Sequence, residues 1–235
     1  MKIIITILVL FFVNTALANN IIVNGTRFIY SEESSEITIQ MTNTNQSPSL
    51  AQIWLDEGDP NKLPEEITTP FIISPPIARI DAGNGQSLRI KKAADKRIVA
   101  TDRESLWWLN ILDIPSVDKS KVTENSSMLN LAIRSRFKFF WRPAGLGERQ
   151  NAESKMAILS NNGDITLVNP TPFFITVANI VTTSGNRLLE EGAMVPPKSR
   201  TDITLKQKVR KGEPVVLQAI SDYGSVVEFK TAINK

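Results

Sequence analysis

Apolar and polar residues alternate along this chain with the period of a β-strand, most persistently in Met128–Pro143, MLNLAIRSRFKFFWRP. Leu129, Leu131, Ile133, Phe137, Phe139 and Trp141 share one parity, and Asn130, Arg134, Arg136, Lys138 and Arg142 share the other. Alternation over about 14 residues, against ~5–6 in an ordinary strand, predicts one long strand. At ~3.3 Å per residue it would run roughly 45 Å, more than the core of one small sandwich requires. The surplus end, carrying Leu129, Leu131 and Ile133, is an aggregation hazard unless a partner covers it. Asn130 and Arg134, on the other parity, are expected to tolerate substitution far better.

The same period recurs from end to end. Ile37, Ile39 and Met41 alternate with polar residues, as do Leu88 and Ile90, and Leu106–Leu112 is an apolar run broken by Asn110. Further on come Ile165/Leu167, Ile175/Val177, Ile203/Leu205, Val215/Leu217 and Val227/Phe229. Turn-forming clusters separate them: Asn43-Thr44-Asn45, Asp81-Ala82-Gly83-Asn84-Gly85, Asn161-Asn162-Gly163-Asp164 and Thr183-Ser184-Gly185-Asn186. No helix-period segment of comparable length stands out. Many short, evenly spaced strands predict an all-β protein of sandwich type. Pro143-Ala144-Gly145-Leu146-Gly147 follows the longest pattern and predicts a break between two domains, 19–143 and 144–235.

The chain opens with Lys2, an apolar run from Ile3 to Val13, and Ala16-Leu17-Ala18. That is the pattern of a secretory signal peptide over residues 1–18. The run is too short to span a bilayer, and no later segment is long and apolar enough to do so. An exported chain without Cys has no disulfide framework, so each domain must rely on its own core. The net charge of +3 is too mild to argue for nucleic acid or an anionic membrane.

Catalytic patterns are scarce. With no His and no Cys there is no Ser-His-Asp triad, no thiol nucleophile and no ordinary zinc site. Gly83-Asn84-Gly85 and Gly145-Leu146-Gly147 lack the setting of phosphate loops and read as turn and linker. Nothing calls for a metal or another cofactor. Asn24-Gly25-Thr26 and Asn125-Ser126-Ser127 are sequons that matter only in a glycosylating pathway.

A set of segments, in order, carries a resemblance. They are Gly25-Thr26-Arg27-Phe28-Ile29-Tyr30 in the first strand, Ala51-Gln52-Ile53-Trp54 in the third, and Ser74-Pro75-Pro76-Ile77-Ala78-Arg79-Ile80. Asp102-Arg103-Glu104-Ser105-Leu106-Trp107-Trp108-Leu109-Asn110, Ile114-Pro115 and Arg136–Pro143 follow, then Asn169-Pro170-Thr171-Pro172-Phe173 and Ile220-Ser221-Asp222-Tyr223-Gly224. Together they resemble the PapD-like periplasmic chaperones of chaperone–usher pilus assembly, over nearly the whole mature chain. The resemblance implies two immunoglobulin-like β-sandwich domains set at an angle with a cleft between them. It also implies a periplasmic, non-enzymatic function: capping pilus (fimbrial) subunits by donor-strand complementation and delivering them to an outer-membrane usher.

The resemblance further assigns roles. Arg27 and Lys138 match the cleft basics that hold the subunit's C-terminal carboxylate. Leu129, Leu131 and Ile133 match the donor strand, and Glu104, Arg142 and Asp222 match an interdomain ionic cluster. Strict alternation sets Lys138 and Ile133 on opposite faces, so a twist or bulge between them is expected. The absence of Cys and the loop Ser116–Ser127 resemble the short-loop branch of the family. Whether the free protein caps itself as a homodimer stays open. Two other classes remain: an adhesion or carbohydrate-binding sandwich, which should expose aromatic residues on a loop face, and a Ser–Lys or carboxylate hydrolase, for which no motif stands out. Trp54, Trp107, Trp108 and Trp141 all fall inside strand patterns.

Overall fold

A computed structural model describes residues 20–94, 100–116, 131–205 and 207–234. The signal-peptide segment, most of the loop Ser116–Ser127, Leu129 and Asn130 lie outside the described residues. In chain order the first half folds into β1 (Ile21–Val23), β2 (Arg27–Ser31), β3 (Ile37–Asn43), β4 (Ser49–Asp56) and β5 (Phe71–Ser74). It continues with β6 (Ile77–Ile80), β7 (Gly85–Lys92), β8 (Ser105–Pro115) and β9 (Ile133–Arg142). The second half contributes β10 (Ala157–Asn161), β11 (Asp164–Asn169), β12 (Ile175–Thr182), β13 (Ala193–Val195), β14 (Ser199–Ile203), β15 (Pro214–Ile220) and β16 (Val226–Asn234).

Two sheets face each other in the first domain, β1-β3-β7-β5 and β2-β9-β8-β4-β6. The chain enters in the first sheet as β1 and crosses to the second as β2. The Arg27–Tyr30 strand is therefore second in order, and Ala51–Trp54 falls in β4. Alternation buries one parity of each strand: Ile39 and Met41 of β3, Leu88 and Ile90 of β7, Leu109 and Ile111 of β8. The base of this core is aromatic. Tyr30 meets Trp141 edge to face at 5.0 Å, and Phe71 meets Trp107 at 4.9 Å and Phe139 at 5.1 Å.

The second domain closes one seven-stranded sheet, β13-β12-β15-β16-β10-β11-β14, over its own core. Asn162 and Gly163, both at positive φ, make the two-residue turn that joins β10 to β11. The Asn169-Pro170-Thr171 motif is a buried brace. Asn169 Nδ2 donates to the Phe173, Val195 and Pro196 carbonyls, and its Oδ1 accepts from the Thr171 amide and hydroxyl. Five backbone and hydroxyl groups at the end of β11 are thereby satisfied by one side chain.

The long strand is shorter than its alternation predicts. β9 begins at Ile133, and Leu131, though described, precedes it. β8 decides this: its last rung to β9 is Asp113↔Ile133, and the next residues, Ile114 and Pro115, pair only with β4. A proline has no N–H to extend the ladder. Leu205 likewise lies past the end of β14.

Candidate functional site

β9 is supported unequally on its two edges. Along one, Ile133 to Trp141 pair with β8; along the other, β2 runs parallel and covers only Lys138 to Arg142. From Ile133 to Phe137, one row of backbone N–H and C=O groups therefore has no strand partner among the described residues. Ile133 is 42% exposed and Leu131 61%, whereas Phe139 and Trp141 of the same parity fill the core. Phe137, between them, stacks edge to face on Phe28.

The β8–β9 register runs from Ser105↔Trp141 to Asp113↔Ile133 without a shift. Of the twist or bulge expected from alternation, no bulge interrupts this pairing, and Ile133 and Lys138 stay on opposite parities. They are reconciled differently. The open edge lies between the two faces, and it ends where β2 begins, at Arg27↔Lys138. A strand laid in that slot meets Ile133 along its length and the two cations at its end.

Arg27 and Lys138 stand side by side in the parallel pair, and among the described residues neither has a carboxylate within ion-pair distance. Their hydrogen bonds reach into the second domain instead. Arg27 Nη1 donates to the Ile220 carbonyl at 3.3 Å, Lys138 Nζ donates to Thr176 Oγ1 at 3.1 Å, and Arg27 Nε is buried without an acceptor. Burial, then the neighbouring Arg27 charge, lowers the Lys138 ammonium to about 8. Burial also lowers Arg27, against the opposing pull of Asp222. Two partly desolvated cations with spare donors make an anion site, and a carboxylate suits it in charge and geometry.

Glu104, Arg142 and Asp222 are brought together. Arg142 Nε donates to Glu104 Oε1 at 2.7 Å, and Nη2 lies 2.8 Å from Asp222 Oδ2, an ion pair angled off hydrogen-bond geometry. Glu104 immediately precedes β8 and is only 4% exposed; burial pushes its carboxyl above the usual range despite Arg142. Two residues that sequence reading missed extend the cluster. Arg149 pairs with Glu153 at 2.7 Å and lies 3.4 Å from Asp222, and Arg142 and Arg149 both stack on the buried Phe173 ring. The four-residue spacing of Arg149 and Glu153 was the available signal. Net stability from such a cluster is small, because desolvation offsets attraction.

A second missed cluster lies on the even face of β9. Arg134 stacks on Trp54 and donates to Asn110 Oδ1, while Arg136 stacks on Trp108 and donates to both oxygens of Asp56. Asp56 is 1% exposed; although burial raises its carboxyl, hydrogen bonds from Arg136 and Asn110 hold it below the usual range. Arg134 is thus tied down by its contacts, which argues against the expectation that it tolerates substitution.

Two sandwiches, with an open strand edge in the first that ends at a pair of partly desolvated cations, define the class of fold and site. Residues 20–147 match the family model of the pili and flagellar-assembly chaperone PapD N-terminal domain, and residues 151–231 match that of the pili assembly chaperone PapD C-terminal domain. The chain is 50% identical over 216 residues to the chaperone protein MrkB of Klebsiella pneumoniae, covering 92% of each. It is 36% identical over 219 residues to the chaperone protein FimB/FhaD of Bordetella pertussis, covering 91% of this chain and 88% of that one. The Pseudomonas aeruginosa CupB2 chaperone superposes with a TM-score of 0.76 at 31% identity, over 91% of this chain and all of that one. The chain belongs to the PapD-like family of pilus-assembly chaperones. That family works on pilus subunits in the periplasm and is a chaperone class, not an enzyme class.

Proposed function

We propose that this chaperone lends β9, with Leu131 and Leu129 ahead of it, to a pilus subunit that lacks a strand. Arg27 and Lys138 hold the subunit's terminal carboxylate, and the complex then passes to an outer-membrane usher. One observation carries the reading: the unpaired edge from Ile133 to Phe137 leads directly into the Arg27↔Lys138 rung. A subunit strand ending at the cations would continue the row that β2 starts, parallel to β9, with its backbone paired to the open edge. Its hydrophobic groove would receive Leu129, Leu131 and Ile133. Burying three such side chains contributes roughly 5–9 kcal/mol before ordering costs. The carboxylate sets the register.

The remaining parts fit that role. Residues 1–18 direct export and are removed, leaving domains 19–143 and 144–235. Glu104, Arg142 and Asp222 fix the angle between the domains. The same open edge supports a self-capping homodimer of the free protein, since an unpaired strand edge invites a second copy.

A photo-crosslinking residue at Ser135, expressed with a pilus subunit in the periplasm, tests the reading. The expected adduct joins position 135 to the subunit's last strand. An adduct only to a second chaperone copy would leave self-capping as the use of the edge, and no adduct would sink strand lending.

A further inference from the structure

We propose that Thr176 is a third ligand for the carboxylate held by Arg27 and Lys138, so that the anchor is completed by the second domain. The inference rests on the carboxylate reading given above. Arg27 and Lys138 are rung partners across β2 and β9, and Thr176 and Ile220 are rung partners across β12 and β15. The two rungs face each other, with Arg27 on the Ile220 carbonyl and Lys138 on the Thr176 hydroxyl. Four residues from four strands therefore form one closed rectangle between the domains.

The two second-domain groups in that rectangle differ in what they can offer an anion. A carbonyl oxygen only accepts, so Ile220 repels a carboxylate and steers it toward the Lys138 side. The Thr176 hydroxyl accepts from an ammonium, which has no lone pair to give back, so its own proton must point elsewhere. Among the described residues that hydroxyl makes no other hydrogen bond. A carboxylate placed between the cations is the acceptor this proton lacks. Threonine is β-branched and its χ1 is restricted, so the donor is set in place before the ligand arrives.

The test uses the mature chaperone and a synthetic octapeptide of alternating valine and threonine, once with a free C-terminal carboxylate and once amidated. Affinities are read by fluorescence anisotropy. Thr176→Val keeps the side-chain shape and strand preference but removes the hydroxyl. It is expected to bind the acid about tenfold more weakly, as loss of one hydrogen bond to a charged group implies, and the amide as wild type does. Thr176→Ser, which keeps the hydroxyl, should stay within about twofold of wild type on both. If Thr176→Val melts below the assay temperature, Thr176→Ala is read by the same acid-to-amide ratio. A wild-type ratio in the hydroxyl-free variants, with the ratio lost in Arg27→Ala, would overturn the Thr176 role and leave the cation anchor standing. If wild-type protein does not distinguish acid from amide, or binds neither, the anchor itself fails and Thr176 with it.

Discussion

The Glu104 carboxylate accepts a hydrogen bond from the Phe174 backbone amide at 2.8 Å while taking another from Arg142 Nε at 2.7 Å. The Glu104 amide in turn donates to the Pro172 carbonyl at 2.9 Å. One buried residue of the first domain thus holds the chain just ahead of β12 in the second. Removing its carboxylate strands both donors, and Glu104→Ala is expected to lower stability by about 3–5 kcal/mol. Glu104→Gln keeps one acceptor and should cost less. Burial raises this carboxyl above its unfolded value, so its contribution is greatest at low pH and is lost as pH rises through the raised pKa. The stability of wild type over Glu104→Gln should therefore fall as pH rises. Urea denaturation at several pH values checks both points; equal losses for Ala and Gln would show that the acceptor is not what matters.

Arg27 and Lys138 are expected to serve binding at the expense of stability. Both are lowered by burial, and the Arg27 charge further disfavours the Lys138 ammonium. Arg27→Ala should cost about 2–5 kcal/mol in subunit binding, as expected when one partner of a desolvated charge pair is removed. Lys138→Met should abolish capture in the same way while leaving the free chaperone as stable as wild type, or more so, because no buried ammonium remains. Co-purified subunit and thermal melting report the two effects separately. Normal capture by either mutant would count decisively against the anchor.

Alternation made the strands of both cores legible: Ile39 and Met41 and Leu88 and Ile90 in the first domain, and Ile165 and Leu167 and Ile175 and Val177 in the second, are buried as their parity requires. Strand ends were not legible in the same way, since they depend on neighbours. β9 starts at Ile133 because its partner strand runs into Pro115, a tertiary fact absent from the Leu129–Ile133 pattern. β1 and β13 span too few residues to show a period. At the site, the resemblance named the charged residues but not their settings. Thr176 was silent because nothing local marks a hydroxyl that acts across a domain boundary, and Arg149 and Glu153 carried only their four-residue spacing, with no helix pattern around it to make it telling.

The structure changes which substitutions serve as controls along β9. Ile133→Glu sets a charge on a half-exposed position beyond the core, so the free chaperone should melt as wild type does. The same charge would be desolvated in an apolar subunit groove, and capture should be lost. Arg134→Glu, formerly the tolerant comparison, faces the buried Asp56 carboxylate and abandons Asn110 Oδ1 and the Pro60 carbonyl. It is expected to cost about 1–3 kcal/mol in the chaperone's own stability. Melting temperature and bound subunit, measured for both, discriminate the cases. Unfolding by Ile133→Glu would make this end of β9 an ordinary core strand.

Subunit capture should weaken above the Lys138 titration. In the free chaperone, burial and the Arg27 charge bring this ammonium to about 8. A bound carboxylate favours the protonated form, so the pKa in the complex is higher than in the free protein. Below the free value, Lys138 is already charged and affinity is level. Between the two values, binding must take up a proton, and affinity falls by up to about tenfold per pH unit. Asp222, Glu104 and Glu153 act on the adjoining Arg27, whose guanidinium stays protonated throughout this window. Lys138→Arg supplies a cation that does not titrate there, and its profile should be flat over the same range. Affinity for a subunit with a free C-terminus, measured from about pH 6.5 to about 9.5, separates the cases. An identical decline in wild type and Lys138→Arg would assign the pH dependence to some other group and remove the Lys138 ammonium from the anchor's titration.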